Sequence, residues 1–146
     1  MSYLITGGAG FVGTNLGQAL AAAGETFRIL DRRPSQLFAE RGQILDILNA
    51  DQLTQSLSGE TIYHLAAEHR DDVRPLDLYE KVNVEGTRNV ARAAALRGVE
   101  RIVFTSSVAV YGFAAPGTGE TGYSLVSPKD SHPRPDGRSG LTISPE

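Results

Sequence analysis

Apolar positions along this chain fall into short unbroken runs separated by longer stretches of helical period. Tyr3-Leu4-Ile5 is the first run, and glycines at 7, 10 and 13 follow it directly. Residues 14–23 then read as a helix, with Leu16, Ala19, Leu20 and Ala23 on one face and Gly24 placed to cap its end. Residues 26–30 form a second strand, broken by Asp31-Arg32-Arg33-Pro34, because proline disfavours helix for the residue before it. Residues 35–41 suit no more than a short helical turn, and Gln43-Ile44-Leu45-Asp46 reads as a third strand. Asn49 or Asp51 can cap a short helix through Leu57 that ends near Gly59. Residues 61–66 are apolar enough for a strand buried on both faces.

A charged stretch at 68–74 reads as a loop at the carboxyl end of that fourth strand. Pro75 suits the first turn of a long helix over 76–97, with Leu78, Val82, Val90, Ala93, Ala94 and Leu96 among its apolar positions and Gly98 closing it. Residues 100–105 make the fifth strand. Strands alternating with helices predict an α/β fold with a parallel sheet covered on both sides. Right-handed crossovers give it the doubly wound order 3-2-1-4-5. The period fails after Gly112. Residues 113–146 hold five of the seven prolines and five of the sixteen glycines, which predicts an irregular tail behind a domain at 1–112.

At 146 residues the length is that of one domain able to bury a real core. A net charge of -3 gives no electrostatic reason to expect nucleic acid or an anionic membrane as partner. The absence of cysteine removes a disulfide framework and a thiolate metal site, and no metal is expected. No apolar run approaches the roughly 18 residues that span a bilayer. The start lacks a signal-peptide pattern, so the expected compartment is the cytoplasm.

The chemistry-bearing stretch is Thr6-Gly7-Gly8-Ala9-Gly10-Phe11-Val12-Gly13. A strand, a tight glycine turn and a helix start place bare amides and the positive end of a helix dipole together, which makes an anion site. Gly7 permits the turn, Gly10 admits a pyrophosphate, and Gly13 lets the helix pack closely. A glycine turn that binds nothing is the competing reading. The preceding strand, the following helix and Asp31, 18 residues beyond Gly13 at the end of the second strand, favour a dinucleotide fingerprint.

These segments, with Asp46-Ile47, His64-Leu65-Ala66-Ala67, Asn83-Val84-Glu85-Gly86-Thr87 and Thr105-Ser106-Ser107-Val108-Ala109-Val110-Tyr111-Gly112, resemble the extended short-chain dehydrogenases. More narrowly, they resemble the NAD-dependent nucleotide-sugar epimerase/dehydratase group. The resemblance covers residues 1 to about 112 and implies a Rossmann-type sheet. It implies that the Phe11 and Val12 backbone lies at the pyrophosphate. Asp31 would accept hydrogen bonds from the adenosine ribose, which favours NAD over NADP. Arg32 and Arg33 would stack on adenine, meet a 2'-phosphate, or simply face solvent. Asp46 and Ile47 would flank adenine, and Leu65, Ala66 and Ala67 would floor the ribose and nicotinamide. His69 falls near the nicotinamide ribose or is merely solvated. Asn83, a poor helix former inside a helix, would serve a ligand or a neighbouring loop. Gly86 reads as close packing against the sheet.

Ser107 matches the family serine or threonine that holds the substrate oxygen being oxidised. Tyr111 is read as a packing or substrate-lining residue. The family then needs Tyr-x-x-x-Lys, in which the lysine charge lowers the pKa of the base tyrosine. The best match is Asp136-Gly137-Arg138-Ser139-Gly140, with Asp136 in the tyrosine position and Gly140 in the lysine position. Tyr123 has Ser127 where the lysine belongs. The second, substrate-gripping half of the family pattern has no counterpart, and a frame change over 113–146 is one account of that.

Three expectations follow. The chain is the NAD-binding portion of an epimerase or dehydratase, taking a nucleotide-sugar when completed by a second half. Or it is a dinucleotide-binding module without turnover. Or it acts through contacts between copies, as a homo-oligomer formed over apolar surface left uncovered.

Overall fold

The computed structural model of the protein describes residues 1–69, 74–75 and 77–106. Its centre is a parallel sheet in the order β3-β2-β1-β4-β5. The strands are β1 (Ser2–Thr6), β2 (Thr26–Asp31), β3 (Gly42–Ile44), β4 (Thr61–His64) and β5 (Arg101–Phe104). Helix α1 (Phe11–Ala22) links β1 to β2, and α2 (Ala50–Ser56) links β3 to β4. Between β4 and β5 runs a helix of three parts: α3 (Asp77–Tyr79), a π-helical segment (Glu80–Gly86) and α4 (Thr87–Leu96).

The period of two within the strands separates two cores. Leu4 of β1, Leu30 of β2 and Ile62 of β4 meet Leu53, Leu57, Val82, Val90, Ala93 and Ala94 beneath α2, the π segment and α4. Ile5, Phe27 and Ile29 point the other way and pack with Leu20 of α1 and Phe38. Phe27 and Phe38 meet edge to face at 5.2 Å between ring centroids. Strands β1 and β4 are thus covered on both faces, whereas β2 leaves Thr26 and Arg28 exposed at its start. No helix among the described residues is long and apolar enough to cross a membrane.

The ends of the elements follow local chemistry. Gly24 adopts φ +70° beyond α1, where its amide reaches Ala21 and that of Glu25 reaches Leu20. Gly98 closes α4 in the same way, at φ +67°. Asn49 caps α2 by accepting the Gln52 amide at 3.1 Å.

Several boundaries differ from expectation. Helix α1 begins at Phe11 rather than Thr14, because Gly10 serves as its N-cap and Gly13 is absorbed into its first turn. Only Ala39–Arg41 of the 35–41 stretch is helical, as a 3-10 turn. Strand β3 stops at Ile44 and β4 at His64, so Asp46 and Leu65 lie in the loops beyond. The long helix is not uniformly α, and its Leu96 is 75% exposed instead of packed. Strand β5 differs from the inner strands: every residue in it is exposed.

Candidate functional site

The carboxyl ends of β1, β2, β3 and β4 surround one cleft of about 800 Å³. Its back wall is the turn from β1 into α1. Gly7 turns the chain at φ +73°, and its amide donates to the Leu30 carbonyl at 2.8 Å, tying the turn to the end of β2. A Cβ on Gly7 would lie 2.6 Å from the Ala66 amide nitrogen, so this position accepts no other side chain without movement of β4's exit. A Cβ on Gly13 would lie 2.4 Å from Gly8 Cα, so Gly13 lets the helix close on the turn itself. Gly10 is roomier: the nearest atom to its Cβ would be the Gly7 carbonyl oxygen at 3.3 Å.

The first hydrogen bond of α1 runs from the Thr14 amide to the Gly10 carbonyl at 2.9 Å. The amides of Phe11, Val12 and Gly13 therefore precede any carbonyl that their own helix could offer. Among the described residues no side chain caps this end, and no acidic residue lies in the first turn. Phe11 and Val12 line the cleft and are 86% and 57% exposed. The helix thus presents uncompensated donors and the positive end of its dipole to the cleft, the arrangement that receives a phosphate.

Asp31 ends β2 beside this turn. One carboxylate oxygen accepts the Ala9 amide at 3.0 Å and the other accepts the Arg33 amide at 3.0 Å. The carboxylate is fixed in place, and each oxygen retains a lone pair for an outside donor. Arg32 and Arg33 follow on the rim. Asp46 and Ile47 line the cleft from the loop after β3, where the Asp46 carboxylate accepts the Leu48 amide at 3.0 Å. Asn89 of α4 donates to the Ile47 carbonyl at 3.1 Å. Leu65, Ala66, Ala67 and His69 line it from the loop after β4.

Gly7, Gly10, Phe11, Val12, Gly13, Asp31, Arg32, Asp46, Ile47, Leu65, Ala66, Ala67 and His69 thus meet at one cleft. Asn83 is not in its lining. Its carboxamide accepts the Glu68 amide at 2.8 Å and donates to the Glu68 carbonyl at 2.9 Å, gripping the β4 loop in both directions. Gly86 packs not on the sheet but on Ile47, since a Cβ there would sit 2.5 Å from Ile47 Cδ1. Ser107, Tyr111, Tyr123, Asp136 and Gly140 lie outside the described residues.

Two features of the site have little trace in the sequence. Glu68 reads as one charge in a charged loop, yet it is 5% exposed and lines the cleft. Its carboxylate accepts the His69 amide at 3.2 Å and pairs with Arg32 at 3.9 Å. Beneath the floor, His64 Nδ1 meets Thr6 Oγ1 at 2.6 Å and its Nε2 meets Thr87 Oγ1 at 3.0 Å. This chain joins β1, β4 and the start of α4. Burial pushes the His64 pKa down to about 4, so the ring is neutral at physiological pH and its two nitrogens are shared between the threonines. Among the described residues no cluster of His, Asp and Glu is placed to hold a metal ion.

Similarity to known proteins agrees with this architecture. The model of the family described as "NAD dependent epimerase/dehydratase family" matches residues 3–133. Over 110 residues the chain is 50% identical to the N-acetyl-alpha-D-glucosaminyl-diphospho-ditrans,octacis-undecaprenol 4-epimerase of Escherichia coli O157:H7, covering 75% of this chain and 33% of that protein. Over 117 residues it is 42% identical to a 3 beta-hydroxysteroid dehydrogenase/Delta 5-->4-isomerase of Mycobacterium tuberculosis, covering 73% of this chain and 32% of that protein. Among solved structures, MoeE5 in complex with UDP-glucose and NAD superposes with a TM-score of 0.70 at 34% identity, over 90% of this chain and 44% of that one. The chain spans about a third of the length of these curated relatives.

Proposed function

Because the chain belongs to the NAD dependent epimerase/dehydratase family, we propose that its cleft binds NAD and that the chain is the cofactor-binding portion of a sugar-modifying oxidoreductase. The observation that carries this reading is the open amide set of Phe11, Val12 and Gly13 facing the same cleft as the Asp31 carboxylate. The amides would hold the pyrophosphate. Asp31, fixed by the Ala9 and Arg33 amides, would accept the adenosine ribose hydroxyls with its remaining lone pairs. Asp46 and Ile47 would flank adenine, while Leu65, Ala66 and Ala67 would lie under the ribose and nicotinamide, with His69 at the rim. A cleft of about 800 Å³ is within the size range of cofactor sites.

When bound, NAD supplies a hydride acceptor for transient oxidation of a sugar hydroxyl. This chain's residues orient it and keep water from its underside. In this reading Ser107 hydrogen-bonds the substrate oxygen. The substrate class is a nucleotide-sugar or a sugar on a related diphosphate carrier, supported by the sugar epimerase relative and by the UDP-glucose complex of MoeE5. A second reading, a dinucleotide-binding module without turnover, is favoured by Asp136 and Gly140, which occupy the positions where the family pattern has its tyrosine and lysine.

Titration with NAD and with NADP, followed by thermal shift, tests the cofactor. NAD raises the melting temperature at lower concentration than NADP. If neither shifts it at millimolar levels, the binding proposal fails. Assays with UDP- and dTDP-sugars in the presence of NAD then separate the two readings: turnover identifies the enzyme, and NAD binding without turnover identifies the module.

A further inference from the structure

We propose that Asn89 is a positioning residue for the base-binding end of the cleft: it holds the loop after β3 in the shape that presents Asp46 and Ile47 to the purine. The proposal rests on the reading of the cleft as a dinucleotide site.

The loop closes a tight turn with its own groups. Asp46 Oδ1 accepts the Leu48 amide at 3.0 Å, and the Asp46 carbonyl accepts the Asn49 amide at 2.9 Å. Neither bond involves the carbonyls of Ile47 and Leu48, which also need donors. Asn89, in the first turn of α4, supplies both. Its Nδ2 lies 3.1 Å from the Ile47 carbonyl oxygen and 3.4 Å from that of Leu48. A carboxamide nitrogen carries two N–H groups, one for each carbonyl, whereas its oxygen in the same place would face two acceptors. The orientation of the side chain is thereby fixed.

Beside this clasp lies a steric seat. Gly86 precedes Asn89 by three residues, about one helical turn, and a Cβ there would sit 2.5 Å from Ile47 Cδ1. The Ile47 side chain is 6% exposed and packs in the core that includes Val82 and Val90. Ile47 is thus seated on the helix by its side chain and tethered to it by its carbonyl. Its neighbour Asp46 lines the cleft. With Oδ1 given to Leu48, the Asp46 carboxylate keeps lone pairs for an outside donor. An acceptor held there suits the exocyclic amino group of adenine and opposes the 6-oxo group of hypoxanthine.

The test is equilibrium binding of NAD and of nicotinamide hypoxanthine dinucleotide to the full chain, read as the ratio of their Kd values. The two ligands differ in the purine ring alone, and the unaltered chain is expected to prefer NAD. Asn89→Ala is expected to weaken NAD about tenfold and to bring the two Kd values within about twofold of each other, the scale of a lost hydrogen-bonded contact. A variant that only loosened the fold would weaken both ligands alike and leave the ratio where it was, and that outcome overturns the proposal. An unchanged NAD affinity overturns it too. Asn89→Leu keeps the size of the side chain and favours the helix but has no donor, so it gives a second route if Asn89→Ala does not fold. It must lose the preference in the same way, and a retained preference overturns the proposal. If the unaltered chain binds neither dinucleotide, the reading of the cleft fails first and this inference falls with it. Equal binding of both ligands by the unaltered chain sinks the inference alone.

Discussion

His64 lies sealed beneath the cleft floor, with a threonine hydroxyl at each ring nitrogen. Its folded pKa, about 4, is depressed below the ordinary 6.5, so the unfolded chain binds a proton that the folded chain refuses. The resulting stability is complete above about pH 6.5 and is lost as the pH falls towards 4. The full effect is about 3 kcal/mol, of which about 2 kcal/mol is gone by pH 5. Urea unfolding between pH 7 and pH 4.5 checks this, since the curve of a His64→Gln variant lacks the component. Gly7 is the second residue whose replacement has a definite outcome. Alanine there must adopt φ +73° and place its Cβ 2.6 Å from the Ala66 amide nitrogen. Gly7→Ala is expected to lose about 2 kcal/mol or more, and to lower dinucleotide affinity by displacing the floor of the cleft. Paired denaturant and binding curves measure both losses.

At the scale of elements, the three-part helix between β4 and β5 fastens two loops of the cleft. Asn83 grips the Glu68 backbone, Gly86 lies against Ile47, and Asn89 holds the Ile47 carbonyl. Asn83→Ala therefore frees the loop that carries Leu65 to His69. Its expected signature is a loss of about tenfold in NAD affinity, out of proportion to a modest fall in stability of about 1–3 kcal/mol. Calorimetric titration beside thermal unfolding reads the two effects separately.

Asn83 also marks how far the sequence can be read. The strands and their order were legible because parallel strands need unbroken apolar runs, and the glycine turn and Asp31 because their spacing is local. The mid-helix asparagine signalled a polar task, but its partner, 15 residues earlier in the chain, is a matter of tertiary packing. The same holds for Gly86 against Ile47 and for the burial of Glu68. The π geometry had no sequence signature, because it arises from how a helix fits its neighbours.

Across the whole molecule, two cores on opposite faces of one sheet hold the four strand ends that form the cleft. A ligand bridging those ends binds only the folded state. NAD at a hundred times its Kd is expected to add about 2.7 kcal/mol to stability, a rise of roughly 5–11 °C in Tm for a domain of this size class. The same experiment with Asp31→Asn is expected to show a weaker shift at equal NAD concentration, because the ribose hydroxyls lose a charged acceptor while the pyrophosphate site stays intact.

The π-helical segment carries one further consequence, for the tolerance of the chain to insertion and loss. A π turn accommodates an extra residue in an otherwise α-helical path. Removing one residue between Glu80 and Gly86 would let the path become a regular α-helix with its flanks in phase, but the wide turn that presents Asn83 would be gone. Asn83 would then lose its place opposite the Glu68 backbone. Length variation among related chains should therefore avoid this segment and gather in loops that no side chain spans.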